Sequence, residues 1–176
     1  MRIRAGKVGD VIQVRVANLA VDPTTSSPVV LLEGIDVKGT IPIWIGQPEA
    51  NAIIFQLSGQ TFERPLTHDL LRIVIEGLEA RVSRILITEL RGNTFYAKIF
   101  LSRGNEILSI DARPSDSIAL ALRASAPIFV SRELFESSKQ DIETRSEPEG
   151  DPDELGDDDP LKKFLDDVDP PDKLDL

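Results

Sequence analysis

The chain has 176 residues and no cysteine, which excludes disulfides, thiolate nucleophiles and cysteine-rich zinc sites. Its net charge of −10 arises in the C-terminal segment, because residues 139–176 hold 5 basic and 15 acidic side chains and leave 15 of each upstream. The upstream part is therefore neutral, and its charge does not argue against a nucleic-acid partner. No signal peptide or run of about 18 apolar residues is present, so we expect a cytoplasmic protein without membrane contact.

The composition predicts one domain over residues 1–138 and an acidic, disordered tail over residues 139–176. In the first half of the domain, alternating apolar residues predict strands over residues 11–21, 29–33 and 40–45. Pro48 then opens a predicted helix in which Ala50, Ile53, Ile54 and Leu57 share one face, and Gly59 is expected to end it.

The second half repeats this pattern after an intervening helix. Thr67 is the predicted N-cap of that helix, with Leu70, Leu71, Val74 and Leu78 on one face. Three strands follow over residues 82–90, 95–102 and 106–112, and Pro114 opens a helix that is apolar on all sides and belongs in the core. A short strand over residues 127–130 and a helical turn over residues 132–137 complete the domain.

The predicted fold is α+β, with a mixed or antiparallel sheet built from two β-β-β-α units and packed helices. An internal duplication is one interpretation of the two proline-opened helices, and the common pattern of strand-to-helix junctions is the other. Trp44 is expected in the core, since no basic and aromatic residues neighbour it in the manner of a single-strand-binding groove.

Four segments carry a family resemblance: IPIWIGQPEANAI, ERPLTHDLL, FYAKIFL and IDARPSDSIALALR. In order and spacing they resemble the signature segments of the bifunctional nuclease domain, over roughly residues 11–131. The resemblance implies a compact α+β domain that cleaves both RNA and DNA, sometimes followed by a further C-terminal module, whose place is taken here by the acidic tail.

Phosphodiester hydrolysis needs an activated water and stabilisation of charge on phosphate, commonly through carboxylate-held Mg²⁺ or Mn²⁺. The candidate metal ligands are Glu49, Asp69, Asp111 and Asp116. The candidate catalytic residues are His68, Asp69, Asp116, Arg113 and Arg64, with His68 as general base or acid and the arginines as phosphate ligands. A mechanism with two histidines is excluded within one chain, although a symmetric dimer would supply the second, and we expect a homo-oligomer.

Structural roles stay open for the same residues. His68 could be an ordinary residue beside the helix cap, and Asp69 and Glu49 could only complement helix dipoles. Arg113 and Asp116 are spaced as an ion pair that fixes a turn. A hydrolase triad around Ser115 is disfavoured because no G-x-S-x-G segment surrounds it.

In the tail, Asp159 and Pro160 resemble a helix start, and Leu161, Phe164, Leu165 and Val168 follow with helical spacing near residues 160–168. This segment is interpreted as a docking helix for a protein partner or for the domain itself, or else as a solvated tail. The acidic run could also compete with nucleic acid for the domain surface. The function is thus predicted to be that of a nuclease, with a non-catalytic interaction protein as the alternative.

Overall fold

The computed structural model describes residues 10–139, which form a mixed α+β fold. The predicted tail and its amphipathic segment lie outside these residues. The elements, in chain order, are β1 (Val11–Val21), β2 (Pro28–Gly34), β3 (Thr40–Trp44), α1 (Gln47–Leu57), α2 (Thr67–Gly77), β4 (Arg81–Arg91), β5 (Thr94–Arg103), β6 (Glu106–Ala112), α3 (Pro114–Ala124), β7 (Ile128–Ser131) and α4 (Arg132–Ser138).

The strands form one sheet of seven in the order β3-β2-β1-β7-β4-β5-β6. Two antiparallel meanders, β1-β2-β3 and β4-β5-β6, extend outward from β7. β7 pairs antiparallel with β1 and parallel with β4, so the two meanders run in opposite directions. The strand order is therefore symmetric about β7, which is the arrangement that a duplicated β-β-β-α unit predicts.

The sheet is strongly coiled. In a flat sheet its edge strands β3 and β6 would lie about 29 Å apart, six spacings of about 4.8 Å. Instead, the segments that follow these two strands meet, as the ion pair between Glu49 and Arg113 at 2.7 Å shows. The pairing register shifts in β1 between Val16 and Asn18 and twice in β4, and such bulges increase the twist of a sheet.

Helix α3 is the central helix. It packs against α1, α2, β4 and β5, and its side chains from Ile118 to Ala121 are fully buried. This confirms the expectation of a core helix from its apolar sequence. Helix α1 also ends as expected: Gly59 has a φ of 68°, and the N–H of Gln60 donates to the carbonyl of Phe55 at 3.0 Å, as in a Schellman motif.

Two predictions about side chains and caps were wrong. Trp44 is not in the core but 49% exposed, because it ends the edge strand β3 and follows four buried residues that hide the alternation. Thr67 is not the N-cap of α2, because Leu66 takes that position and the carboxylate of Asp69 accepts the backbone N–H of Leu66 at 3.0 Å.

The predicted apolar face of α2 is largely in solvent. Only Ile75 of this helix is buried, whereas its other large apolar residues and the following Leu78 are 39% to 64% exposed: Leu70, Leu71, Ile73, Val74 and Leu78. Among residues 10–139, none of the helices has the length and apolar character needed to cross a membrane.

Candidate functional site

The candidate site lies where α1 and α3 begin, and its carboxylates occupy the same position in both helices. Glu49 is the third residue of α1 and Asp116 is the third residue of α3. Both carboxylates are therefore beside free N–H groups at the positive end of a helix dipole. When the two helices are aligned by position, Glu49 corresponds to Asp116. This alignment differs by one residue from the sequence alignment that pairs Pro48 with Pro114.

Arg113, the N-cap residue of α3, joins the two carboxylates. Its Nη1 lies 2.7 Å from Oε1 of Glu49, its Nε donates to Oδ2 of Asp116 at 2.7 Å, and its Nη2 donates to Oδ1 at 3.1 Å. The predicted ion pair between Arg113 and Asp116 is therefore present. Because the Arg113 side chain is 66% exposed, its guanidinium remains accessible to a ligand.

His68 completes the network from helix α2. Its Nε2 is 3.2 Å from Oδ1 of Asp116, and its side chain is only 12% exposed. Burial would raise the pKa of Asp116, but hydrogen bonds from Arg113 and His68 outweigh it and hold that pKa below its usual value. An ionised Asp116 can only accept, so Nε2 of His68 carries the proton and Nδ1 is the basic atom of the neutral ring.

Gly46 leaves room for the carboxylate of Glu49. A Cβ atom at position 46 would collide with Oε2 of Glu49, so a larger residue there would displace this flexible side chain from its present position. The N-cap of α1 therefore lacks a side chain where the N-cap of α3 has Arg113. The network accordingly uses one arginine for both helix starts.

Asp69 lies outside this network. Its Oδ1 accepts from Nε of Arg123 at 2.6 Å, and its Oδ2 accepts from the N–H of Leu66. Arg123 was not among the predicted site residues, although a lone arginine near the end of an apolar helix indicates a buried partner for its charge. Arg123 is 3% exposed and also donates to the carbonyls of Ala52 and Ala119, at 2.9 and 3.1 Å. It thereby ties α1, α2 and α3 together.

The remaining predicted site residues are not brought into the network. Arg64 is exposed in the segment between α1 and α2, and Asp111 is exposed on β6, opposite Lys98 of β5. Within residues 10–139, no three or more His, Cys, Asp or Glu side chains are grouped so that they could hold a metal ion. Arg113 takes the place between the carboxylates Glu49 and Asp116, so a cation bound to both carboxylates would have to displace its guanidinium.

The network has a defined charge. Glu49 and Asp116 contribute two negative charges and Arg113 one positive charge, which leaves about −1 when His68 is neutral and about zero when it is protonated. The hydrogen bonds that Arg113 donates to Asp116 raise the pKa of Arg113, and its guanidinium is permanently charged. The arrangement provides an oriented imidazole beside an exposed guanidinium, which are groups suited to proton transfer and to phosphate binding.

The fold and the network define an α+β protein with a polar site between two helix starts. The model of the bifunctional nuclease domain matches residues 29–143, and the chain belongs to this family. An uncharacterized protein of Mycobacterium tuberculosis is 37% identical over 161 residues, 91% of this chain and 96% of the relative.

Plant relatives share the domain at lower identity. Bifunctional nuclease 1 of Oryza sativa is 28% identical over 97 residues, which are 53% of this chain and 29% of the rice protein. Bifunctional nuclease 1 of Arabidopsis thaliana is 27% identical over 111 residues, 61% of this chain and 34% of the relative. These matches therefore span only about a third of each plant protein.

Proposed function

We propose that this protein is a nuclease that hydrolyses phosphodiester bonds of RNA, DNA or both. The observation that supports this most strongly is the network in which Asp116 orients His68 and Arg113 stands exposed beside it. The family match and the names of the plant relatives support the same activity.

His68 and Arg113 would perform different parts of the reaction. With Nε2 held by Asp116, Nδ1 of His68 takes a proton from the attacking water, and the imidazolium that forms is stabilised by the carboxylate. Arg113 contacts the phosphoryl oxygens through its exposed side and neutralises the charge that develops there. Glu49 and Asp116 hold the guanidinium in place for this contact.

We propose that Mg²⁺ or Mn²⁺ assists the reaction, although the roles of His68 and Arg113 do not require a metal. An added cation would offset the charge of about −1 on the network and so favour an anionic substrate. It would have to compete with Arg113 for the two carboxylates. Activity that survives a chelator would remove the metal from the proposal.

The test is a nuclease assay of the purified full chain on single- and double-stranded RNA and DNA, with Mg²⁺, Mn²⁺ or a chelator. We expect His68→Ala and Asp116→Asn to reduce cleavage about 100-fold, the lower part of the range for removal of a general base. The matched control is Arg103→Gln, which removes the exposed ion pair between Arg103 and Glu106. Glu106 begins β6 and lies seven residues, or about 23 Å along the strand, from Arg113. Equal activity in all of these variants would mean that the cleavage comes from a contaminant.

The exposed apolar face of α2 supports a second candidate function, that of an interaction protein. Four large apolar side chains on this short helix, together with Leu78 after it, form the kind of patch that marks a protein interface. We assign it to a second copy of this chain, which would also bring a second His68 into the assembly. Light scattering of wild type and of Leu70→Glu tests this, since a dimer that becomes a monomer supports the assignment and a monomeric wild type contradicts it.

A further inference from the structure

A cavity of about 350 Å³ adjoins the His68–Asp116–Arg113 network, and we refer to it as the Trp44 pocket. It lies between the end of β3, the turn from β4 to β5 and the start of α3. Its walls include Trp44, Gly46, Asn93, Phe95, Arg113 and Ser115. Its volume is at the lower end of the range for small-ligand sites, which suits a single planar ring system.

Trp44 is held as a fixed platform in this pocket. Although about half of its surface is exposed, its Nε1–H donates to Oδ2 of Asp22 at 2.8 Å. The other oxygen of Asp22 accepts the N–H groups of Thr24 and Thr25, at 2.8 and 3.1 Å. The hydrogen bond from Trp44 also lowers the pKa of Asp22, so this acceptor is ionised at neutral pH. An exposed ring with a fixed orientation has the property that base stacking needs.

The other walls complement a nucleobase and its phosphate. Phe95 adds a second aromatic side chain, and Asn93 of the hairpin turn and Thr94 at the start of β5 add polar groups that can reach the edge of a base. Arg113 belongs both to the pocket and to the catalytic network. A base in the pocket would therefore place a neighbouring phosphate beside the guanidinium.

We propose that the Trp44 pocket binds one unpaired nucleobase of a single-stranded nucleic acid, stacked on Trp44, and presents the adjoining phosphodiester to Arg113. This inference rests on the proposed function in one respect, namely that the phosphodiester beside Arg113 is then cleaved. A base within a duplex has both faces covered by its neighbours and cannot stack on the indole without leaving the helix. The protein would thus prefer single strands over duplexes.

The fluorescence of Trp44 gives a direct test, because the chain has one tryptophan. The full chain carrying His68→Ala, which is expected to slow cleavage of the oligonucleotide about 100-fold, is titrated with a single strand of about ten thymidines, the corresponding abasic strand and a duplex. We expect the thymidine strand to quench Trp44 and to bind about tenfold more tightly than either control, as loss of one stacked base predicts. Equal binding of the abasic strand or of the duplex would overturn the proposal.

Variants separate stacking from other contributions to binding. Trp44→Leu should weaken single-strand binding about tenfold, measured by fluorescence anisotropy of a labelled strand, whereas Trp44→Phe keeps an aromatic face and should remain within about threefold. Tyr96→Leu is the matched control, since Tyr96 is exposed on β5 but points to the opposite face from its neighbour Phe95. Unchanged affinity in Trp44→Leu, or an equal loss in Tyr96→Leu, would contradict stacking at this pocket.

The outcomes also separate the pocket from the nuclease activity. If binding depends on Trp44 and no condition gives cleavage, nucleobase binding in the pocket is supported and the proposed nuclease activity is contradicted. If the wild type cleaves nucleic acid and Trp44→Leu has an unchanged KM, the nuclease activity is supported and nucleobase binding in the pocket is contradicted.

Discussion

Helix α3 carries an arginine at each end, and the two differ in burial rather than in chemistry. Arg113, before its first residue, binds Glu49 and Asp116 and is 66% exposed, whereas Arg123, in its last turn, binds Asp69 and is 3% exposed. A buried guanidinium holds its partners permanently, because releasing them would leave unpaired charge inside the protein. An exposed one can exchange a carboxylate for a ligand. The same residue type thus supports the fold at one end of the helix and the site at the other.

The largest effect is expected at the buried end. Arg123→Met should lower the free energy of unfolding by about 3 kcal/mol, the lower end of the range for a broken buried pair, because Asp69 is partly exposed. Urea unfolding followed by circular dichroism measures this change.

A double variant identifies the cause of that loss. Asp69→Asn combined with Arg123→Met removes the unpaired carboxylate, and it should recover part of the stability lost in the single variant. A double variant less stable than Arg123→Met would show that the contacts of Arg123 with the carbonyls of Ala52 and Ala119, rather than its charge, carry the effect.

At the exposed end, activity should change more than stability. Arg113→Gln is expected to reduce nuclease activity about 100-fold, equivalent to about 2.7 kcal/mol in the barrier, because charge on the phosphoryl oxygens loses its partner. Its unfolding free energy should fall by less than that of Arg123→Met, because water can enter the exposed place of the Arg113 guanidinium and solvate the partly buried carboxylates of Glu49 and Asp116.

Arg113→Lys tests the geometry of this contact. Lysine keeps the charge but not the planar fork, so this variant should recover only part of the activity. The comparison between the two ends of α3 fails if Arg113→Gln destabilises the protein as much as Arg123→Met does.

The smallest effect is expected in the acid dependence of stability. Since the pKa of Asp116 is lower in the folded protein than in the unfolded chain, its ion pair stabilises the fold above about pH 4, and this contribution disappears as pH falls through the folded pKa. The difference in unfolding free energy between wild type and Asp116→Asn should therefore be constant near neutrality and shrink in acid. A difference that stays the same down to the acid limit would mean that Asp116 is not the group responsible.

Most of the fold could be predicted from local patterns. The strand from Val11 to Val21, the helix opened by Pro114 and the strand from Glu106 to Ala112 all follow from periodicity and from turn residues near them. The symmetry of the two meanders is also visible in the repeated order of strands and helices. The division between domain and tail stays a prediction, because the tail lies outside the described residues.

The composition of the site could be predicted only in part, because contacts between distant segments decide it. Polar residues at strand-to-helix junctions were correct candidates, and His68, Asp116, Glu49 and Arg113 do meet. The sequence does not show that the coiled sheet brings the ends of its two edge strands together. It also does not show that Asp69 lies outside the site, where it forms an ion pair with Arg123. The same coiling places Trp44 beside Phe95 and Arg113, far apart in sequence.

The bulges of β1 and β4 have a consequence for how homologues vary in length. Ala17, Ser83 and Thr88 are the extra residues of these bulges, and the hydroxyls of Ser83 and Thr88 donate to carbonyls of β5, at 2.9 and 3.2 Å. Deleting one of them would flatten the sheet and separate Glu49 from Arg113. In an alignment of relatives that retain the network, gaps should fall in turns such as Gly104–Asn105 and spare these three positions.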